Sequence, residues 1–312
     1  MVLPVLAVLA AAVLFGTTGT SQALGPENTT PLSVGAVRLV LGGTGLAVIA
    51  FVLARRAHRR GTVAPRPRLS AGPLALMALT GLCLALYQPL FFLGTARNGV
   101  AVGTVIALGS APILAGVLEW SLTRRRPSGA WLLATALSTV GVALLGLGGG
   151  TDAAGAGGTD PLGFLGSVGA GATFAVIANA QRRLLDDGWD PFTVVGAMGA
   201  GSAVLSACVL PFVDLSWLGE PAGIVMAVWL GIGTISIAYV MFTWGLNGLT
   251  AATAATLTLG EPLTASILGV TVLGEQLSIL AVAGLIVLAV GLATLAWGSR
   301  APRDPKPFAV EA

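Results

Sequence analysis

Charged side chains are scarce in this sequence. Only 9% of the residues are Asp, Glu, Lys or Arg, and 55% are hydrophobic, whereas an ordinary soluble domain has about 25% charged residues. A soluble fold cannot bury that much apolar surface. The composition therefore excludes an ordinary soluble domain and favours a protein whose main solvent is lipid.

Cysteine and histidine are also rare. The two cysteines, Cys83 and Cys208, lie in different apolar segments, and the single histidine, His58, lies in a basic segment. This pattern predicts neither a structural disulfide nor a metal site. The sequence contains no Walker-type phosphate loop, so we predict no cofactor, no catalytic residues and no enzymatic activity. Because the basic residues lie between apolar segments, we also predict no nucleic-acid partner.

Ten apolar runs have close to the roughly 20 residues that a transmembrane helix needs. The N-terminal run lacks the charged region and cleavage site of a signal peptide, so we interpret it as the first helix. The predicted helices lie at about Val2–Leu24, Leu32–Ala54, Gly72–Thr95, Gly99–Leu122, Ser128–Leu147, Leu162–Leu184, Pro191–Phe212, Ala222–Leu246, Ala251–Leu273 and Ser278–Trp297.

The basic residues predict the orientation of these helices. If the N-terminus is inside, 14 of the 16 basic residues, all except Arg38 and Arg97, fall in cytoplasmic segments. Cytoplasmic loops of membrane proteins are enriched in Lys and Arg, so we expect both termini to be cytoplasmic. Arginine greatly outnumbers lysine and Ala and Gly are abundant, which is typical of a high-GC bacterium. For a helical membrane protein of a bacterium, we expect the inner membrane.

Internal alignments indicate a duplication. A shift of 150 residues pairs Gly141 with Gly291, and a shift of 160 pairs Pro31 with Pro191. Because each half has five helices, an odd number, the second half must be upside down relative to the first. The predicted fold is an all-α integral membrane protein of ten transmembrane helices in two inverted five-helix repeats, a design of many secondary transporters that bind substrate near the midplane.

Several motifs resemble the EamA-type transporters of the drug/metabolite transporter superfamily. They are Phe15-Gly16-Thr17-Thr18-Gly19-Thr20, the start of helix 2 at Pro31–Arg38, and Leu259–Ala265 followed by Leu273–Leu277. The resemblance covers about Val2 to Trp297. It implies a two-repeat carrier, often an exporter of amino acids, other metabolites or toxic compounds. The tryptophan often found in the first helix of each repeat is replaced here by Phe15 and Phe174.

This resemblance and the helix pattern predict four segments. Residues 1–148 form a first EamA-like repeat, residues 149–160 a glycine-rich external linker, residues 161–298 a second repeat, and residues 299–312 a cytoplasmic tail.

Two ionisable residues are predicted deep in the membrane, where each costs about 2.5–3.5 kcal/mol on insertion scales. Arg38 in helix 2 can hold an anionic group such as a carboxylate, because guanidinium offers a bidentate geometry; the alternative is a structural pair inside the bundle. Glu261 in helix 9 can bind an amine or carry a proton; the alternative is an inert packing glutamate. The sequence leaves open whether the two residues face each other.

Four further residues are candidate walls of a substrate pocket. Tyr87 and Gln88 in helix 3 and Tyr239 and Trp244 in helix 8 recur at similar places in the two repeats, although Tyr and Trp also serve as interface anchors. Glu119 lies within one turn of three arginines and is predicted to be an interfacial carboxylate paired with one of them; the alternative is a coupling residue.

We therefore predict a secondary transporter that moves a small metabolite or drug-like molecule across the lipid bilayer by alternating access. Export of an amino acid or related metabolite, coupled to protons through Glu261, is the leading hypothesis. The alternatives from other classes are a non-transporting membrane sensor or assembly protein and a channel or facilitator. The sequence leaves open the substrate, the direction, the coupling ion, and whether the protein is a monomer or a homodimer.

Overall fold

Ten long apolar helices make up the part of the chain that the structure describes. A computed structural model describes residues 2–59, 67, 69–148 and 160–298, and within these residues it contains no β-strand. The helices are α1 (Val2–Ala23), α2 (Pro31–Arg56), α3 (Ala71–Asn98), α4 (Val100–Thr123), α5 (Gly129–Gly148), α6 (Pro161–Asp186), α7 (Pro191–Phe212), α8 (Pro221–Leu246), α9 (Ala251–Val272) and α10 (Ile279–Gly298).

These helices confirm the predicted all-α membrane fold, and each begins and ends within a few residues of its predicted bounds. The predicted linker 149–160, apart from Asp160, and the predicted tail 299–312 lie outside the described residues.

Proline and aspartate mark several helix starts. Proline lacks a backbone N–H and has a helical φ, so it suits the first turn. The side chain of Asp190 accepts a hydrogen bond from the N–H of Thr193 at 2.9 Å and thereby caps α7. The helices that begin with proline are α2, α6, α7 and α8, at Pro31, Pro161, Pro191 and Pro221.

Helix α9 is interrupted near its middle. Its α-helical segments are Ala251–Leu257 and Gly260–Val272. Pro262 explains the interruption, because its ring lacks an N–H and clashes with the carbonyl four residues earlier, which is that of Thr258. The Thr258 carbonyl accepts a hydrogen bond from the N–H of Glu261 at 2.9 Å. The interruption therefore places Glu261 in the first turn of the second segment.

The two halves of the chain pack with a twofold relation. Helix α2 packs against α7, and α5 packs against α10. Helix α3 packs against α6 and α7, and in the other half α8 packs against the equivalent helices α1 and α2. Likewise, α4 packs against α6, and α9 packs against α1. Exchanging α1–α5 with α6–α10 leaves this set of contacts unchanged. Since each half has an odd number of spans, the halves are inverted repeats.

Close glycine contacts repeat under the same exchange. A Cβ at Gly141 would lie 2.5 Å from the backbone nitrogen of Leu288, and a Cβ at Gly291 would lie 2.5 Å from Oγ of Ser138. Both pairs of counterparts differ by 150 residues. Small residues let membrane helices approach closely without a hydrophobic driving force, so the α5–α10 crossing depends on the absence of these side chains.

The loops alternate between two ends of the bundle. We refer to the end at which α1 begins as the basic end and to the other as the acidic end. Among the described residues, the basic end carries Arg55, Arg56, Arg59, Arg124, Arg125, Arg126, Arg182 and Arg183, together with Asp186, Asp187 and Asp190. The acidic end carries Glu27, Asp160, Asp214, Glu220 and Glu275, together with Arg97.

Asp160 joins the two halves at the acidic end. Its carboxylate accepts hydrogen bonds from the N–H of Gly163 at 2.8 Å and from Arg97 at 3.3 Å. These bonds hold the pKa of Asp160 below its usual value, the bond from Gly163 most strongly. The side chain of Asn98 exchanges two further hydrogen bonds with the backbone of Asp160. The turn between α3 and α4 is thereby attached to the start of α6.

The glycine contact at the α5–α10 crossing leads to a stability prediction. We expect Gly141→Ala to lower the free energy of unfolding by about 1–3 kcal/mol, the usual cost of overpacking, because the new Cβ meets backbone atoms of Leu288. Thermal unfolding of the detergent-solubilised protein measures the effect. The matched control is Gly19→Ala in α1, where a Cβ meets nothing within 4 Å. Equal melting temperatures for the two variants would contradict the account of this crossing.

Candidate functional site

Arg38 lies inside the bundle, seven residues after Pro31, about 10 Å along α2 from the acidic end at 1.5 Å per residue. The residue is half-buried, and its Nε atom is fully buried without a hydrogen-bond partner. Buried polar groups in proteins are nearly always hydrogen-bonded. Arg38 therefore has a hydrogen-bond donor inside the bundle that remains available for a further partner.

Glu261 lies near the middle of α9, directly after the interruption. Its first-turn position suits a carboxylate, because helix N-termini favour negative charge. Helix α1 approaches the backbone closely at this point, since a Cβ at Gly16 would lie 2.6 Å from the carbonyl oxygen of Glu261 and 2.6 Å from Cβ of Thr264. The glycine in the Phe15–Thr20 motif thus lets α1 pack directly beside the glutamate.

The structure brings together four of the six predicted site residues. Arg38, Tyr87, Tyr239 and Glu261 lie close enough to interact electrostatically with one another. Within the described residues, Arg38 and Glu261 nevertheless form no ion pair and share no hydrogen bond. The cluster therefore contains a guanidinium and a carboxyl group that are not in direct contact.

Aromatic rings form one wall of this site. Tyr239 is 5% exposed, and its ring contacts Phe15 edge-on at 5.2 Å and Phe242 at 6.2 Å between centroids. Phe242 in turn contacts Phe174 at 5.6 Å. A π-helical segment at Trp229–Ile237 ends just before Tyr239; such segments are rare and frequently occur at functional sites.

Gln88 and Trp244 lie apart from the cluster. Trp244 is 41% exposed and shares a helix face with Ile237, which is 43% exposed and two turns earlier, so its indole lies on the outer surface of the bundle. Gln88 lines a separate cavity of about 50 Å³ between α2, α3 and α7, with Gly35 and Val209 among its other walls. The structure therefore does not join these two residues to Arg38 and Glu261.

Two hydrogen-bonded contacts close the bundle at the basic end. The Glu119 carboxylate accepts a 2.8 Å hydrogen bond from the N–H of Ala252, at the start of α9. The Arg182 guanidinium on α6 donates to the carbonyls of Leu246, Asn247 and Leu249, at 2.9, 2.9 and 3.0 Å. These bonds attach α4 and α6 to the ends of α8 and α9.

Buried polar contacts form a second layer beneath this closure. Asn179 on α6 donates to the carbonyl of Ala115 on α4 at 3.1 Å. Thr243 on α8 donates to Gln181 on α6 at 3.0 Å, and both side chains are fully buried.

The two segments of α9 have different environments. Nearly every residue from 251 to 260 is buried, whereas most residues from 261 to 272 are half-exposed or exposed. The same half-exposed pattern runs along α4 from Ala101 to Ser110. The segment of α9 nearer the basic end is thus packed inside the bundle, and the segment nearer the acidic end is more exposed.

The sequence alone does not reveal most of the hydrogen bonds that join the helices at the basic end. Arg182 stands beside Arg183 and looks like one more basic loop residue, so only the structure identifies its contacts with α8 and α9. The sequence places Glu119 beside three arginines and contains no indication that it reaches α9. Asn179 and Gln181 did carry a signal, because polar side chains inside an apolar helix indicate interhelical hydrogen bonds.

Comparisons with known proteins agree with this architecture. The sequence profile of the EamA-like transporter family matches residues 2–147 and 161–297. The uncharacterized transporter YwfM of Bacillus subtilis (strain 168) is 39% identical over 299 residues, which cover 96% of this chain and 94% of that protein. A crystal structure of another protein has a TM-score of 0.76 at 20% identity, covering 95% of this chain and 97% of that chain, and thus shares the fold. The chain is a multi-pass membrane protein that belongs to the EamA-like transporter family.

Proposed function

We propose that this transporter carries a small zwitterion, an amino acid or a related metabolite, in the central site. The main support for the proposal is the environment of Arg38. Its Nε atom is buried without a partner, and its guanidinium lies near Glu261 without pairing with it. A carboxylate of the substrate would bind Arg38 through charge-assisted hydrogen bonds. An ammonium group of the same substrate would bind Glu261.

The surroundings of the two charges favour a small substrate. Phe15 and Tyr239 cover one side of the site, and α1 approaches Glu261 so closely at Gly16 that even a methyl group would clash there. An α-amino acid is a small molecule with opposite charges a few ångströms apart. Burying both charges of such a ligand against protein charges offsets their desolvation, whereas a singly charged ligand would leave one protein charge without a partner.

The mechanism we propose is alternating access. The polar contacts of Arg182 and Gln181 close the basic end. The acidic end does not repeat the contact of Gln181: when Phe15 is paired with Phe174, Gln22 aligns with Gln181, and its side chain bonds to the Thr18 carbonyl within its own helix. Exchanging the conformations of the two inverted halves would open the basic end and close the acidic end. That exchange is the usual route of transport in inverted-repeat carriers.

The charge distribution supports an orientation. We assign the basic end to the cytoplasm, with both termini there, in a bacterial inner membrane, because positive residues are retained on the cytoplasmic side. The site as described then faces outward. Export is the direction we propose, on the basis of the resemblance to EamA-type exporters.

We further propose that Glu261 couples transport to protons. Intramembrane carboxyl groups commonly serve in proton relays, and no other glutamate or aspartate of the described residues belongs to the central cluster. If the substrate ammonium and a proton compete for Glu261, the protein can exchange one for the other across the membrane.

Ligand-induced stabilisation tests the binding site. We expect neutral amino acids to raise the melting temperature of the purified protein, since a ligand at 100 times its Kd stabilises the native state by about 2.7 kcal/mol. Arg38→Lys should weaken binding at least about tenfold, because a lysine cannot form the bidentate contact. The panel should include sugars, nucleosides, organic acids and cationic drugs.

Matched variants make the outcome specific. Arg97→Lys changes an exposed arginine at the acidic end and should leave binding unchanged. Stabilisation by another class of compound, or equal loss of binding in Arg38→Lys and Arg97→Lys, would overturn the proposed zwitterion site. Transport that does not saturate with concentration would indicate a channel rather than a carrier.

The pH dependence of binding tests proton coupling. If one proton competes with the substrate, the apparent Kd should rise on acidification by up to about tenfold per pH unit, as reciprocal linkage requires. Glu261→Gln should abolish this dependence along with most of the affinity. Glu220→Gln, at an exposed glutamate, should preserve it. Binding that is independent of pH while Glu261 is intact would refute the coupling.

A further inference from the structure

A second cavity lies on the outer surface of the bundle, between α4 and α5. Its volume is about 410 Å³, within the range of roughly 300–1,000 Å³ typical of ligand pockets. Its walls are almost entirely apolar and include Ile113, Val117, Trp120, Leu132 and Val140. These five side chains are 46–54% exposed. The cavity is therefore a groove that opens towards the hydrocarbon of the bilayer and is separate from the central site.

The groove has a preformed floor. A Cβ at Gly116 would lie 2.3 Å from the ring of Trp131, so the glycine makes room for this indole. The indole is fixed by a 3.1 Å hydrogen bond from its Nε1 to Oγ1 of Thr256 on α9. The lining extends from Pro127, just before α5, to Val140 on α5, about 20 Å at 1.5 Å per residue. That length spans the roughly 15 Å hydrocarbon depth of one leaflet.

Three arginines stand at the mouth of the groove, at the basic end. Arg124, Arg125 and Arg126 are exposed, and their guanidinium groups form no ion pair within the described residues. Arg124 adopts a left-handed conformation, with φ 56°, at a position whose counterpart in the second repeat is Gly274, with φ 71°. The second repeat continues with Glu275 and Gln276. The positive charges are thus found at only one of the two related loops.

We propose that this groove binds one anionic phospholipid. Its phosphate would lie at Arg124–Arg126 and one acyl chain would run along the groove towards Val140. Clusters of basic residues next to the membrane attract anionic headgroups, and the apolar walls match an acyl chain. A second copy of this chain fits the groove poorly, because a twofold contact centred there would place these arginines against the same arginines of the other copy.

Native mass spectrometry of the detergent-purified protein tests the proposal. The probes are phosphatidylglycerol and phosphatidylcholine of the same acyl composition. We expect one molecule of phosphatidylglycerol to remain bound at least about tenfold more strongly than phosphatidylcholine, owing to the three positive charges. The variant with Arg124→Gln, Arg125→Gln and Arg126→Gln should lose this preference. Ala136→Trp, which fills the groove without a change in charge, should lose the bound lipid.

Two controls separate this site from general effects of charge and hydrophobicity. Arg55→Gln, Arg56→Gln and Arg59→Gln together remove three exposed arginines from the same end, and this variant should still bind phosphatidylglycerol. Leu133→Trp adds a tryptophan to α5 outside the groove and should also bind it. Equal loss of lipid in a control and its test variant, retention by Ala136→Trp, or a dimer that Ala136→Trp dissociates would overturn the proposal.

Discussion

The main constraint on this structure is that two ionisable side chains, Arg38 and Glu261, lie inside the bundle in one cluster without pairing with each other. A direct ion pair between Arg38 and Glu261 would offset much of the cost of burying them, yet the structure keeps them in one cluster without a contact. The interruption of α9 at Pro262 places the carboxylate at a helix start. Glycine at position 16 brings α1 beside it. The interruption of α9 and the close approach of α1 thus hold the Glu261 carboxyl group inside the bundle, where apolar packing alone would disfavour it.

The twofold relation between the halves fits the proposal that the site serves both sides of a membrane. The two α5–α10 glycine contacts are related by symmetry, so this crossing looks the same from either half. The polar contacts of Arg182, Gln181 and Asn179 break the symmetry, because among the described residues they occur at the basic end without counterparts at the acidic end. The symmetric glycine contacts hold the two halves together in the same way from either side. The asymmetric polar contacts define the one conformation of the bundle that is described.

The sequence was sufficient to predict the ten helices and their arrangement in two repeats. Hydrophobic length and proline predicted the ten helices, and the pairing of Gly141 with Gly291 predicted a duplication that the packing confirms. Arg38, Tyr87, Tyr239 and Glu261 are candidates from the sequence, because ionisable and aromatic groups stand out in apolar helices, and the structure places these four in one cluster. The sequence could not place Trp244, since the rotation of a helix decides whether an indole faces a site or the lipid. The contacts of Arg182 were likewise hidden, because a basic residue at a helix end has the same sequence signal whether it is solvated or bonded to another helix.

Cysteine accessibility tests the central claim, alternating access to the Arg38–Glu261 site, most directly. Val102 on α4 and Ala252 on α9 are counterparts, 150 residues apart; the first is half-exposed and the second buried. Val102→Cys and Ala252→Cys would be made separately in a background with Cys83→Ala and Cys208→Ser, reconstituted in nanodiscs, and labelled with a polar thiol reagent. We predict that Val102→Cys reacts and Ala252→Cys is protected. Adding Arg182→Ala should speed labelling at 252 and slow it at 102, whereas Arg183→Ala should change neither. Faster labelling at 252 with no slowing at 102 would contradict alternating access.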